Sequence, residues 1–254
     1  MRRRLMWVAG FALLVGGGLW LRVRISGLDV SASRRTLHMG ETARLVVAKK
    51  TWLGTEPLAH PESTKYITNW ESMAVVEPDG NVTAVGTWGE AEETSNVMAF
   101  NGELKGFARF SLRAGGPGPA LDFAVEAPTV TEMRTAACCS TPVWLTEGQQ
   151  VKFHVLRRDT DHADVTRRSA GTRYTLFFGS GLPNDPNAVQ IVGYGGGINP
   201  ATFRIDDERG LIVAPTSIGN LNYFTVLVFA RNDNAVGWKQ FKLRHTAAPA
   251  LPEH

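Results

Sequence analysis

Residues 158–164, with the sequence RDTDHAD, place three carboxylates and an imidazole within seven positions. Closely spaced carboxylates in a loop are typical of calcium sites, so Asp159, Asp161 and Asp164 are candidate ligands. A calcium loop also needs a glycine at its sharp turn and a distal Glu that binds through both oxygens. Both are missing here, which favours a solvated polar loop over a metal site.

Other patterns that carry catalytic chemistry are weak in this sequence. None of the six histidines is spaced to share a metal with another, and no nucleophile-elbow string is present. The Gly-rich stretch 193–200, GYGGGINP, precedes no helical pattern, as a phosphate-binding loop requires. We therefore expect no enzyme activity and no cofactor. The competing hypothesis, an envelope enzyme, requires a pocket with convergent titratable groups.

The two cysteines are adjacent, Cys138 and Cys139, so they cannot close an ordinary loop within the chain. Three states remain open: a vicinal disulfide, two free thiols, or a bridge to another chain. Two cysteines alone cannot form a four-cysteine zinc site.

Two aromatic residues in predicted loops are candidate partner contacts. Trp52 lies in KKTWLGTEP, and Tyr194 lies in the Gly-rich stretch. Binding residues are often found on loops that a rigid scaffold supports.

The elements that position these loops are predicted to be strands. Short apolar runs, several of them alternating with polar residues, recur after residue 24 and are separated by Gly, Pro, Asn and Asp. No stretch there keeps a helical apolar period over three turns. The stretch 114–120, AGGPGPA, is predicted to be a linker between two runs of strands. The sequence therefore predicts an all-β chain of tandem sandwiches, with a flexible tail over 245–254.

The basic charge is concentrated near the N-terminus. Five of the 27 basic residues lie in the first 24 positions, which leaves 22 basic and 24 acidic residues elsewhere. The rest of the chain is therefore close to neutral and has no excess of positive charge that would attract nucleic acid. Three arginines at 2–4 precede an uncharged run of 17 residues, 5–21, that can just cross a bilayer as a helix. We expect residues 1–24 to be a signal anchor or a cleaved signal peptide, with the rest of the chain exported.

The two runs of strands repeat each other. An offset of 108 aligns Gly40 with Gly148, and also Trp70 with Phe178. An offset of 130 aligns Gly80 with Gly210, so the second copy carries 22 more residues, in an insertion that we place at 179–202. We expect positive φ at the glycines before the strands and large apolar groups at the centre of each sandwich.

The first copy, 27–113, resembles the bacterial immunoglobulin-like domain of group 2, which occurs in intimin- and invasin-like surface proteins. The residues that carry the resemblance are Leu37, Gly40, Glu41, Thr42, Trp70, Asp79, Gly80, Val82, Thr83, Ala84, Val85 and Gly86. The second copy, 121–244, resembles a divergent member that lacks the Trp. The resemblance implies a β-sandwich outside the cytoplasm, used as a spacer, stalk or binding domain, with no catalytic residues.

These observations predict a non-catalytic protein of the cell envelope. It is expected to be anchored in the inner membrane and face the periplasm, or to lie at the cell surface. The expected partner is another envelope protein or a surface glycan; binding of a glycan would use the 179–202 loop. A subunit of a larger envelope assembly is a further alternative, which would show a large exposed apolar patch or an unpaired edge strand.

Overall fold

The computed structural model describes residues 27–68, 74–86, 92–126, 143–178, 203–218 and 223–244. In these ranges the chain forms eighteen strands and three short 3-10 turns, Pro61–Ser63, Arg158–Thr160 and Arg168–Ala170. The prediction of an all-β chain is therefore confirmed for the described ranges. None of their helices is long and apolar enough to cross a membrane. The predicted anchor at 1–24 and the tail at 245–254 lie outside them.

Two sheets pack face to face over the first copy. One sheet has the order β1-β3-β7-β6, with β4 added at the end of β3, and the other has the order β2-β9-β8-β5. All pairings are antiparallel except β2 with β9. The strand bounds are β1 Leu28–Ala32, β2 Thr36–His38, β3 Thr42–Thr51, β4 Gly54–Pro57, β5 Lys65–Thr68, β6 Ala74–Val76, β7 Asn81–Ala84, β8 Glu93–Asn101 and β9 Leu104–Arg113.

The second copy builds the same pair of sheets. The orders are β10-β12-β16-β15, with β13 added to β12, and β11-β18-β17-β14, again with one parallel pair, β11 with β18. The bounds are β10 Leu121–Glu126, β11 Val143–Thr146, β12 Gln150–Arg157, β13 Ala163–Asp164, β14 Thr172–Phe178, β15 Arg204–Asp206, β16 Leu211–Val213, β17 Tyr223–Asn232 and β18 Ala235–Arg244.

The strand order defines the fold class. In the first copy, β1, β3 and β5 to β9 correspond to strands A to G of an immunoglobulin-like sandwich: one sheet reads A-B-E-D and the other C-F-G, with β2 added beside G. The second copy has the same order, with β11 added beside G. Each pair of sheets encloses its own cluster of buried apolar side chains. Phe110 and Leu112 lie in the first cluster, and Phe153 and Phe241 lie in the second.

The hydrogen bonds reproduce the repeat that the sequence offsets predict. Leu45 N donates to Gly80 O at 2.9 Å, and Phe153 N donates to Gly210 O at 2.8 Å. These two bonds are related by the offsets of 108 and 130. The aligned residues therefore occupy equivalent places in the two sandwiches.

A further offset of 131 relates the last two strands of each copy. It follows from the two hairpin turns, where Asn101 pairs with Leu104 and Asn232 pairs with Ala235. Four inward-facing positions of these strands carry the same residue type in the two copies. They are Val97 and Val228, Ala99 and Ala230, Phe110 and Phe241, and Leu112 and Leu243.

Candidate functional site

A third apolar cluster joins the two sandwiches and is the candidate functional site. The first sandwich contributes Val75 on β6, Val85 after β7, and Met39 in the turn before β3. The second contributes outward-facing side chains of β14, β17 and β18, namely Phe177, Leu227, Phe229, Val236 and Trp238. We call this cluster, together with the polar residues that cross it, the joint.

The joint exists because β17 is apolar on both of its faces. Val226, Val228 and Ala230 point into the second sandwich, whereas Leu227 and Phe229 point into the joint. Side chains alternate between the two faces of a strand, so an uninterrupted apolar run needs a cover on each face. The first sandwich supplies the outer cover.

An ion pair crosses the joint out of contact with solvent. Nε and Nη2 of Arg231 both lie 2.6 Å from Oε2 of Glu77, and the two side chains are only 7% and 5% exposed. The Arg231 guanidinium also donates to the hydroxyls of Thr83 and Thr42, at 3.2 and 3.4 Å. A buried charge without a partner is strongly destabilising, so this pair fixes which surfaces meet.

Burial raises the pKa of the Glu77 carboxyl above its ordinary value, and the hydrogen bond and charge of Arg231 only partly oppose the rise. Desolvation of the carboxylate therefore raises its pKa more than pairing with Arg231 lowers it. This sign is expected for an ion pair inside a protein interface.

The predicted linker is hydrogen-bonded to both sandwiches. Met39 N donates to Gly115 O and Gly118 N donates to Met39 O, both at 2.9 Å, whereas Ala120 N donates to Val236 O at 2.8 Å. A Cβ on Gly40 would collide with the backbone of Gly118. Residues 114–120 form no strand and are held against the joint.

The first sandwich leaves the equivalent outer face open. The offset of 131 places Met98 on Phe229 and Phe107 on Trp238. Met98 lies opposite Phe107 on adjacent strands of the first sandwich. In the same way, Phe229 lies opposite Trp238 in the second. Phe229 and Trp238 are 0% and 5% exposed, whereas Met98 and Phe107 are 40% and 63% exposed. A face that is covered in one copy is therefore uncovered in the other.

The second sandwich also carries a groove of about 480 Å³ with titratable groups in its wall. His154 Nδ1 lies 2.6 Å from Asp164 Oδ2, and its Nε2 lies 3.2 Å from Glu126 Oε1. Partial burial of Asp164 is outweighed by hydrogen bonds from Thr166 and His154, which lower the pKa of this carboxyl. These contacts pair His154 with Asp164 in the wall and with Glu126 outside it.

The acidic loop is built mostly from such pairs. Asp159 accepts hydrogen bonds from Arg157 at 2.7 and 3.1 Å, and Asp164 contacts His154 across the loop. Asp161 and His162 both have positive φ, at 53° and 55°. Within the described ranges, no group of three or more His, Cys, Asp and Glu side chains is placed to hold a metal ion.

The signature residues that the structure describes lie in turns. Gly40 and Gly148, with φ of 84° and 72°, precede β3 and β12, and Gly80 and Gly210, with φ of 83° and 62°, precede β7 and β16. Asp79 Oδ1 accepts a hydrogen bond from the backbone N–H of Asn81 at 3.2 Å, and this bond closes the β6–β7 turn. Phe178 ends β14; its side chain lies outside the described part, as do Trp70, Tyr194, Cys138 and Cys139.

Trp52 lies at the tip of the β3–β4 hairpin and is 76% exposed, next to Leu53 at 77%. Trp52, the predicted contact residue that the structure describes, is not part of the joint. The joint was not predicted, but the sequence carries one signal for it: the apolar run from Val226 to Ala230 does not alternate with polar residues.

No protein family and no curated protein matches this sequence. Among solved structures, the chain is similar to Drosophila OTK extracellular domains 3–5, with 9% identity over 87% of this chain and 62% of that one and a TM-score of 0.26. It is similar to human protocadherin-24 EC1-2, with 10% identity over 86% and 98% and a TM-score of 0.26. It is also similar to domains 4 and 5 of the S-layer protein SbsC, with 15% identity over 86% of this chain and 98% of that one and a TM-score of 0.27. Similarity this low gives no indication of function.

Proposed function

We propose that this chain is a non-catalytic cell-envelope protein in which two immunoglobulin-like domains, 27–113 and 121–244, act as one rigid spacer. Residues 1–24 tether it to the membrane, and the first domain belongs to the bacterial group 2 class. The observation that carries the proposal is the buried joint.

A joint of this kind favours a spacer over two loosely connected domains. If the domains separated, Phe229 and Trp238 would enter water, and the Arg231–Glu77 pair would be broken. Burial of large aromatic side chains and one ion pair therefore favours a single relative orientation. Linker residues bonded to both domains limit the motion further.

The open face of the first domain is the proposed contact surface for a protein partner. Exposed aromatic side chains are enriched where proteins bind one another. Phe107 and Met98 form the apolar centre of this face. Three exposed cations point to the same side of the sheet: Lys65 on β5, and Lys105 and Arg109 on β9. We infer a partner, another envelope protein, that presents apolar side chains bordered by acidic ones. Binding of a surface glycan through Tyr194 and the 179–202 loop is the alternative.

Export of both domains is tested by protease treatment of spheroplasts that express the full chain with a C-terminal epitope. Protease added outside should remove the epitope while a cytoplasmic marker survives. Retention of the epitope in intact spheroplasts, with its loss only after lysis, would contradict the proposed location.

Contact at the open face is tested with a photo-cross-linking amino acid at position 107. Position 46, where Val46 is 60% exposed on the other sheet, is the matched control. We expect a defined adduct in envelopes from position 107 and none from position 46. Equal labelling from both positions would contradict a specific partner at this face.

A further inference from the structure

We propose that the tip of the β3–β4 hairpin, Trp52 and Leu53, inserts into the lipid–water interface of the membrane beside the anchor. This inference rests on the proposed tethering by residues 1–24. It assigns a ligand, the bilayer surface, to residues whose exposure neither the fold nor the joint explains.

The identities of the two tip residues do not follow from the turn. Thr51 pairs with Gly54, so Trp52 and Leu53 are the two residues of the loop. The positive φ in this hairpin lies at Gly54, at 135°, and neither Trp52 nor Leu53 has positive φ, so the turn does not demand a particular residue type at positions 52 and 53. Large apolar side chains contribute nothing to such a turn. Both also stand more than three-quarters exposed, and every residue of β4 is exposed, so core packing does not explain them either.

The tip lies at the end of the first sandwich where the chain enters from the proposed anchor. Lys50 N donates to Gly27 O at 2.9 Å, which places Gly27 level with Lys50. At about 3.3 Å per residue, Trp52 lies about 7 Å beyond Gly27. Five residues lie between Leu21, the end of the apolar run, and Gly27, so the six Cα–Cα steps span at most about 22 Å. A bilayer that holds residues 5–21 is therefore within reach of the tip.

The joint lies at the other end of the same strand. β3 begins at Thr42, whose hydroxyl Arg231 contacts, and ends at Thr51, about 30 Å away. Insertion of the tip would therefore direct the joint away from the membrane. The second sandwich would lie on that far side.

The chemistry of the hairpin matches a lipid surface. Tryptophan is enriched at membrane interfaces, and lysines near the surface are attracted to anionic headgroups. Lys49 and Lys50 are both exposed below the tip; Lys49 faces Glu56 across the hairpin, whereas Lys50 faces Thr55. A specific protein interface buries about 800 Å² on each side, more than a two-residue tip on a narrow hairpin offers. Two apolar side chains are enough to enter the headgroup region.

The test uses the full chain, with both native cysteines replaced by serine, in vesicles of phosphatidylcholine and phosphatidylglycerol at about 7 to 3. An environment-sensitive fluorophore is attached through Leu53→Cys, and separately through Phe107→Cys and Thr216→Cys as controls on exposed positions elsewhere. Brominated lipids then quench only the fluorophores that touch the bilayer. We expect quenching of about twofold at position 53, little at 107 and none at 216.

Flotation of the vesicles separates this inference from the proposed function. Protein that floats with the vesicles but is not quenched at position 53 overturns the inference and leaves the tether intact. Protein that does not float overturns the tether and the inference together. Equal quenching at positions 53 and 216 indicates nonspecific adsorption and also overturns the inference. Weaker quenching at position 53 after Lys49→Gln and Lys50→Gln, with flotation unchanged, supports it further.

Discussion

At the residue scale, the ion pair between Arg231 and Glu77 is specific to the joint. The repeat places Phe100 on Arg231 and Asp207 on Glu77, so neither partner has the same residue type in the other copy. Asp207 instead lies 3.2 Å from Arg168 within its own sandwich. The pair therefore belongs to the contact between the sandwiches and not to the fold that they share.

Removing one member of this pair should be much more destabilising than removing both. We expect Arg231→Met or Glu77→Leu alone to lower the free energy of unfolding by about 3–5 kcal/mol, because a buried charge loses its partner. The double variant should recover most of that loss. Urea unfolding of the three variants and the parent chain measures the cycle.

A surface pair provides the control for that cycle. Arg158 contacts Asp122 with comparably short distances, but its side chain is half exposed. Arg158→Met should therefore lower the free energy of unfolding by less than about 1 kcal/mol. A single joint variant that is as mild as Arg158→Met would show that the pair does not define the joint.

The raised pKa of Glu77 gives a dependence on pH with a definite sign. The folded chain holds a proton at this carboxyl more tightly than the unfolded chain does, so acidification favours the folded state at this site. The contribution is present below the unfolded pKa and is lost as pH rises through the raised, folded pKa. Relative to Glu77→Gln, the parent chain should therefore gain thermal stability between pH 7 and about pH 4.5. A relative loss over this range would contradict the raised pKa.

At the element scale, strands with an alternating or a long apolar pattern could be predicted from the sequence, whereas the short strands β2 and β6 could not. β3, β8, β9, β12, β17 and β18 are long enough for their residues to define a period. The three-residue strands β2 and β6 carry no such period, and β2 exists only because it pairs with β9 across the sandwich. Its pairing is a consequence of the closed fold, which local sequence does not encode.

The two copies of the last hairpin supply a matched experiment on apolar packing. Phe229→Ala and Trp238→Ala should each lower the free energy of unfolding by about 3–5 kcal/mol, because both side chains are buried in the joint. Met98→Ala and Phe107→Ala, at the equivalent exposed positions, should each change it by less than about 1 kcal/mol. Unfolding by urea compares the four variants directly. Equal losses in the two copies would contradict the open face.

At the scale of the whole molecule, the division into two repeats was accessible from sequence and the joint was not. Equivalent glycines, such as Gly80 and Gly210, recur because each copy needs the same turn. The joint instead collects Met39, Val75 and Val85 from three separate segments against β17 and β18. These residues have no shared spacing, and the folds of both sandwiches are needed to bring them together. Trp52, a predicted contact residue, lies beyond the end of β3 that is opposite the joint.

The central claim is that the joint holds the two sandwiches in one fixed orientation. The distance between spin labels at Val46→Cys and Thr216→Cys, with Cys138 and Cys139 replaced by serine, measures that orientation directly by pulsed electron paramagnetic resonance. Both positions are exposed, and each lies on a different sandwich. We predict a single narrow distance distribution that broadens when Phe229→Ala and Trp238→Ala are combined. A broad distribution in the chain with the joint intact would contradict the claim.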